Sequence, residues 1–335
     1  MPIRIVQSKQ NARLKQLRRA LAQAGREPGA LAGIEGPNLL AEALRAGLRI
    51  PAVFVAQGAE KMLDPFKLPA EIEIVVSPLA LLNSALATET PQPVAALVEP
   101  PDWTWAHVRG NPGLGNSGTA PLVIVLAGIQ DPGNLGTILR SAEAFGATGV
   151  VCLPGTVSAW NPKAVRASAG SIFRLPALTA SEDECFTQLR EAGARILTTA
   201  ASMPDRAVPA VVGKVSGHDF SRAERGSQGI GALALAPEGT GFSPYANNER
   251  NEGASAPAAP QSAHLAVLTG PVALLIGNEG SGVPADLAAK ADGAITIPCP
   301  GPVESLNAAV AASVLLYEAS RQRSAVLPQR RGAHR

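Results

Sequence analysis

A chain of 335 residues, 46% of them hydrophobic, is long enough for two domains and rich enough in apolar side chains for a sizeable core, which excludes wholesale disorder. No run reaches the ~18 apolar residues that span a bilayer, and the opening MPIRIVQSKQNARLKQLRR has no apolar segment followed by a cleavage site, so neither a membrane protein nor a secreted one is expected. A net charge of +2 does not mark a nucleic-acid binder, and the three cysteines and four scattered histidines share no metal spacing, so a cytoplasmic α/β protein without metal is expected.

Charge is distributed unevenly along the chain. Arg4, Lys9, Arg13, Lys15, Arg18, Arg19 and Arg26 precede any acid, and Arg321, Arg323, Arg330, Arg331 and Arg335 crowd the end. Such blocks are either solvated faces or phosphate contacts. The first reads as a helix capped by Ser8. Leu14, Leu17 and Leu21 form its buried stripe, and Arg13, Lys15, Arg18 and Arg19 are its candidate RNA contacts. Strands follow at 31–36, 51–56, 71–76 and 93–99, with helices from Pro37 to Gly47 and over 78–87. Residues 1–100 therefore read as a small α/β domain, and 101–120, rich in Gly, Pro, Asn and Ser, as a linker. Within that linker and beyond it, Trp103, Trp105 and Trp160 are open to two readings, base stacking or packing.

The second domain, 121–325, opens with the apolar run PLVIVLAGI (121–129) and a helix from Thr137 to Phe145. Strands at 149–154 and 194–201 and helices at 161–170 and 182–193 come next. The pattern then collapses over 202–266 into polar, low-complexity sequence that reads as a disordered insertion. Strands resume at 272–280 and 293–298 around a helix near 284–291, and a long helix runs from Glu304 to about Arg323, before a basic tail at 326–335.

Three loops follow strands of this domain, the position where ligands gather in open α/β sheets. QDPGNLGTILR (130–140) offers Asn134, a natural helix cap, and Arg140; IGNEGSGVP (276–284) sets Glu279 among glycines; IPCPGPVESLNAAVAAS (297–313) brings Ser305 and Asn307 into the last helix, where Ser305 is a candidate cap. No GxGxxG-opened βαβ unit and no GK[ST] phosphate loop is present, so dinucleotide and triphosphate sites lose support.

In this order the three loops resemble the signature motifs of the SpoU/TrmH group of SPOUT methyltransferases. Asn134, Gly136 and Arg140 match the first, Gly277, Asn278, Glu279 and Gly280 the second, and Ile297, Pro298, Ser305, Leu306 and Asn307 the third; VRASAG (165–170) is similar to the helix between the first two. Residues 1–100 resemble the L30e-like substrate-binding domain that often precedes the catalytic one. The resemblance implies an α/β domain with a trefoil knot and a homodimer that transfers methyl from S-adenosylmethionine (SAM) to a ribose 2′-hydroxyl of rRNA or tRNA, without a metal. It implies Gly277, Ile297 and Leu306 as cofactor contacts and Asn134, Arg140, Glu279, Ser305 and Asn307 as catalytic or substrate-orienting residues.

Removing the hydroxyl proton is the awkward step. The family view gives it to the arginine, yet a guanidinium with pKa of roughly 12.5–13.8 costs on the order of 7 kcal/mol to deprotonate near neutrality. Arg140 is therefore either a perturbed base or a cation that holds a phosphate and stabilises the developing alkoxide. The rival readings are a non-catalytic RNA-binding protein on the same fold, and, less supported, a nicotinamide-dependent oxidoreductase.

Overall fold

Alternation of side chains along short strands builds both sheets of the computed structural model, which describes residues 2–23, 29–86, 88, 90–110, 120–200, 260–303 and 305–326. The N-terminal part contains β1 (Ile3–Ile5), α1 (Ala12–Gln23), β2 (Ala32–Glu35), α2 (Pro37–Arg45), β3 (Ala52–Ala56), β4 (Glu73–Ser77), α3 (Leu79–Asn83) and β5 (Val94–Val98). Its five strands lie in the order β1-β4-β3-β5-β2. Ala52, Phe54 and Ala56 of β3 face α1 and α3, packing with Leu14, Leu17, Leu21, Leu81 and Leu82. Val53 and Val55 point the other way, into a cluster with Leu39 and Leu40 of α2. The leucine stripe of α1 is buried as its spacing predicts, but the cap is Asn11, whose Oδ1 accepts from Arg13 N at 2.8 Å. Ser8 instead closes the turn before the helix, accepting from Gln10 N.

The stretch after β5 is not a free linker throughout. Its described part forms α4 (Trp105–Val108), and Val108 is fully buried against the second sheet. Trp105 Nε1 and Arg109 donate to Glu184 and Glu191 there. One apolar residue and two long polar side chains anchor a segment whose composition alone signals a coil.

The second sheet has seven parallel strands in the order β10-β12-β9-β11-β6-β7-β8. In chain order its elements are β6 (Leu122–Ala127), α5 (Pro132–Ala144), β7 (Gly149–Cys152), α6 (Pro162–Ala167), β8 (Ala177–Thr179), α7 (Glu182–Glu191), β9 (Arg195–Thr199), β10 (Gln261–Ser262), β11 (Val272–Gly277), α8 (Ala285–Ala288), β12 (Gly293–Thr296) and α9 (Ala308–Val326). Helices cover both faces, which is why β6 and β11 read as unbroken apolar runs. Leu122, Ile124 and Leu126 pack toward α5, α6 and α9. Val123, Val125 and Ala127 pack toward α4, α7 and α8. Cys152 and Cys185 are buried in these layers, and burial pushes both thiols up to about 12, so neither is reactive near neutrality.

The two sheets share apolar packing, because β2 and α2 belong to the same cluster as α5, α6 and α9. Arg174 reinforces it by bridging Glu42 of α2 and Glu143 of α5, each at 2.6 Å. Burial works against the Glu42 carboxylate, but hydrogen bonds from Arg174 and Arg45 hold it below its usual range. Gly170 permits the contact: its φ is +90°, and a Cβ there would fall 2.6 Å from Glu42 Cβ.

Three sequence boundaries shift. Regular structure returns at Gln261, inside the expected insertion 202–266 and before the expected strand at 272, because β10 pairs with β12 and Ala263 and Ala266 are buried; a two-residue strand carries no readable period. Most of the 202–266 insertion and nearly all of the 326–335 tail lie outside the described residues. Helix α5 begins at Pro132, five residues before Thr137, since Asp131 supplies the cap; α9 begins at Ala308 rather than Glu304. Among the described residues no helix is long and apolar enough to cross a membrane.

Two cations of the C-terminal block are structural. Arg321 pairs with Glu318, whose carboxyl it pulls down to about 2. Half-buried Arg323 donates to four backbone carbonyls, those of Ala120, Pro121 (3.0 Å), Leu268 (2.9 Å) and Gly270 (2.6 Å). It ties the end of α9 to the chain entering β6 and β11. Arg323→Met keeps the stem and strips the donors from these carbonyls. It should lower the unfolding free energy by about 2–4 kcal/mol in denaturant titration; an unchanged midpoint would show that water replaces the guanidinium freely.

Candidate active site

The three loops emerge at the C-terminal ends of β6, β11 and β12, the first two neighbours in the sheet and the third beyond β9. Asp131 caps α5, accepting from Gly133 N and from Asn134 N at 3.0 Å. The Asn134 backbone hydrogen bond, then the one from Lys163, hold the Asp131 carboxyl below its usual range. Asn134 is therefore not the cap, and its side chain is released for another task. Asn134 Nδ2 donates to Glu279 Oε1 at 2.6 Å, and Asn134 Oδ1 accepts from Asn307 Nδ2 at 3.1 Å. One amide from the first motif thus joins the second and third.

The direction of these bonds is fixed by the backbone. Asn307 Oδ1 caps α9, accepting from Ala309 N at 2.9 Å and Val310 N at 3.3 Å. Its NH2 group must then face Asn134, whose oxygen accepts, which leaves the Asn134 NH2 to face the Glu279 carboxylate. Asn307, and not Ser305, is the cap of the last helix; Ser305 is exposed in the loop before it.

Asn278, a motif residue without an assigned role in the sequence reading, clasps the loops together. Its Nδ2 donates to Gly128 O at 2.8 Å while its Oδ1 accepts from Gly280 N at 2.8 Å. Gly128 N in turn donates to Thr156 Oγ1 at 3.0 Å, a contribution from the β7–α6 connection that no local motif announces. The motif glycines also have structural reasons. A Cβ on Gly136 would sit 2.4 Å from Ala164 O, so this position sets the close approach of α5 to α6. A Cβ on Gly277 would meet Gly282 C at 2.1 Å and Val283 N at 2.2 Å. The glycine is required there by the chain's own turn, not solely by a ligand lying against it.

Arg140 is exposed on α5 and makes no hydrogen bond or ion pair among the described residues. Six residues beyond Asn134, it lies about 9 Å further along the helix and roughly a third of a turn around it. Of the candidate RNA contacts on α1, Lys15, Arg18 and Arg19 are exposed, whereas Arg13 is bound to Glu73 at 2.6 Å and its charge is already matched. Trp160 is buried against Phe173, which decides for packing at that position.

The model of the SpoU rRNA methylase family matches residues 121–249 and 228–317, a span that holds all three loops. The chain belongs to this family. As a SpoU methylase it is similar to the 23S rRNA (guanosine(2553)-2′-O)-methyltransferase RlmP of Bacillus subtilis, with 28% identity over 85% of this chain and 86% of that protein. The crystal structure of an RNA 2′-O ribose methyltransferase superposes with a TM-score of 0.64 at 26% identity, covering 96% of this chain and 99% of that one. The same fold recurs, with a TM-score of 0.65 at 24% identity and coverage of 94% and 99%, in the SpoU methyltransferase AviRb from Streptomyces viridochromogenes in complex with the cofactor AdoMet.

The residues of this SpoU methylase fit such a cofactor. Thr296 Oγ1, at the end of β12, is buried without a hydrogen-bond partner, and Val303 and Leu306 leave apolar side chains 58% and 36% exposed on the following loop. A flat, polar-edged adenine suits that lining. Ile297 is partly buried at the root of the same loop.

If the Asn134 amide joins the motifs, Asn134→Ala should free them without unfolding β6. Hydrogen exchange over residues 278–282 and the first turn of α9 should accelerate by roughly tenfold, equivalent to about 1.4 kcal/mol. Equal protection in both proteins would mean that the loops are held by something else.

Proposed function

We propose that this chain is a SAM-dependent RNA methyltransferase acting on a ribose 2′-hydroxyl of ribosomal RNA. The observation that carries the reading is the Asn134 bridge, which gathers Glu279 and Asn307 at the C-terminal edge of a SpoU methylase sheet. The non-catalytic alternative would leave no reason to keep an oriented amide chain ending on a carboxylate.

Gly277, Ile297 and Leu306 are the residues we assign to holding SAM, with Thr296 offering an unpartnered hydroxyl. Bound SAM supplies an electrophilic methyl on a sulfonium. The remaining work is positional. Glu279 has one oxygen occupied by Asn134, and its other oxygen is left to accept a hydrogen bond from the substrate ribose. Asn134 and Asn307 keep that carboxylate in place, and exposed Ser305, two residues before Asn307, is assigned to orienting the substrate. Alignment of this kind supplies a large part of a methyl-transfer barrier reduction, up to about 7–11 kcal/mol in the best cases.

Arg140 is exposed, makes no bond among the described residues and stands about 9 Å along α5 from Asn134, so we assign its partner site to a second copy. Val310, Val314 and Tyr317 form an exposed apolar stripe at helical spacing on α9, which packs against α5. A homodimer through this stripe covers it and gives Arg140 a route to the partner's ribose. The C-terminal chain, which leaves β12 and crosses to α5, is the segment we assign to the trefoil knot. Residues 1–100 are assigned as an L30e-like RNA-binding domain, with Lys15, Arg18 and Arg19 toward phosphates; 101–120 joins it to the catalytic domain at 121–325.

Labelled SAM incubated with rRNA, followed by mapping of the methylated nucleotide, tests the activity, and label found on a base instead of a ribose contradicts it. Arg140→Lys retains charge but loses the planar fork. It should slow single-turnover transfer by about a hundredfold or more with SAM affinity unchanged. A perturbed base gives a rate that rises with pH to a plateau absent from the variant; an electrostatic arginine gives no such rise. Wild-type turnover in Arg140→Lys would remove both roles. Alanine at Lys15, Arg18 and Arg19 together should reduce the slope of log affinity against log salt by roughly two units if all three contact phosphates. An unchanged slope would reduce this helix to a solvated face.

A further inference from the structure

A cleft of about 970 Å³ opens between the two sheets, walled by residues 99–103 on one side and 156–160 on the other, with 177–179 at its base. It stands at the C-terminal ends of β7 and β8, on the same sheet edge as the three loops. The two are mechanically joined. Thr156 Oγ1 accepts from Gly128 N at 3.0 Å and donates to Leu126 O at 2.9 Å, and Val157 N donates to Ile129 O at 2.8 Å.

Its lining selects an uncharged, hydrogen-bonding, flat ligand. Among the described residues no lysine or arginine lines it, while Glu99 and Asp102 do. Glu99 is paired with Arg49, but Asp102 is exposed and makes no bond among the described residues. Trp103 presents a partly exposed indole, set edge-on to His107 at 5.2 Å, and its buried Nε1–H has no partner. The volume lies at the upper end of the ~300–1,000 Å³ typical of ligand pockets, ample for a nucleobase.

We propose that this cleft is a subsite for one unpaired base of the RNA, adjacent to the methylated nucleotide, with the Trp103 ring as stacking platform and the Asp102 carboxylate as acceptor for a base N–H. The inference rests on the RNA-methyltransferase reading. Nucleotides flanking a ribose held at the three loops must pass over this same sheet edge. Sequence-selective RNA recognition works on splayed bases, stacked on aromatic rings and hydrogen-bonded along their edges. Asp102 is the lining carboxylate left unpaired, and it faces a base N–H more favourably than a phosphodiester. The Asp102 carboxylate can accept from a ring N–H of guanine or uracil or from the exocyclic amine of adenine or cytosine, so stacking on Trp103 and one accepted N–H define the subsite without choosing among the four bases.

The test uses the full-length protein, in vitro transcribed 23S rRNA and labelled SAM. Trp103→Ala should raise KM for the RNA about tenfold, Trp103→Phe much less, since stacking survives, and Asp102→Asn a few-fold. The kcat and the affinity for SAM should stay within about twofold of wild type in all three. The same transcript carrying 4-thiouridine or 6-thioguanosine should crosslink, in the wild-type protein, to peptides spanning 99–103 or 156–160. That measurement decides the matter if Trp103→Ala does not fold. Methyl transfer by the wild type with unchanged KM in the variants and no such crosslink overturns the subsite and leaves the activity standing. No methyl transfer to any RNA by the wild type overturns the activity, and the subsite with it.

Discussion

The side-chain amide of Asn134 is the connection on which the site depends. Its partners Glu279 and Asn307 are 145 and 173 residues away in sequence, and among the described residues no backbone hydrogen bond joins the three motifs directly. Because α9 needs an acceptor for its first N–H groups, Asn307 has only one orientation, and that orientation propagates through Asn134 to the carboxylate. Each bond is worth about 0.5–1.5 kcal/mol, more where the carboxylate accepts. Their importance is geometric rather than energetic. They turn the demand for a helix cap into the aim of an acid.

The bridge forms because backbones approach closely enough around it. Gly136 lets α5 lie against α6, and Gly277 lets the turn after β11 fold back on Val283. Asn278, Gly128 and Thr156 then carry the constraint sideways to the β7 connection. A rigid parallel sheet supplies the platform, since the ends of its central strands are fixed on both faces by packed helices. The interdomain cleft inherits this rigidity through Thr156 and Val157. A base seated there would therefore be held at a set distance from the motif loops.

Arginines divide into two populations that composition does not separate. Arg13, Arg174, Arg321 and Arg323 are spent inside the structure, on carboxylates or on backbone carbonyls. Arg18, Arg140 and Arg166 stand exposed. The small net charge thus conceals an outward-facing set of cations whose counter-charges are not beside them. Basic residues cluster at both ends of the chain, and by sequence each block was open to being a solvated face or a phosphate contact. One is a helix with a free face, and the other begins as a clasp for the core.

The sequence by itself determined the α/β layering, because apolar runs long enough only for buried strands alternate with helical stripes such as Leu14, Leu17 and Leu21. It also determined the family, because three short motifs occur in a fixed order, and their glycines are spaced by backbone need. Caps were less legible: Asp131, Asn134, Ser305 and Asn307 are all competent cap residues, and which one acts depends on where the preceding loop delivers the chain. Only the tertiary structure decided that Asp131 and Asn307 cap, and that Asn134 is thereby free to bridge. It alone showed that residues 101–110 pack instead of dangling and that a cleft separates the sheets. These outcomes rest on contacts between residues far apart in sequence, and no local periodicity encodes which distant partner a polar side chain will meet.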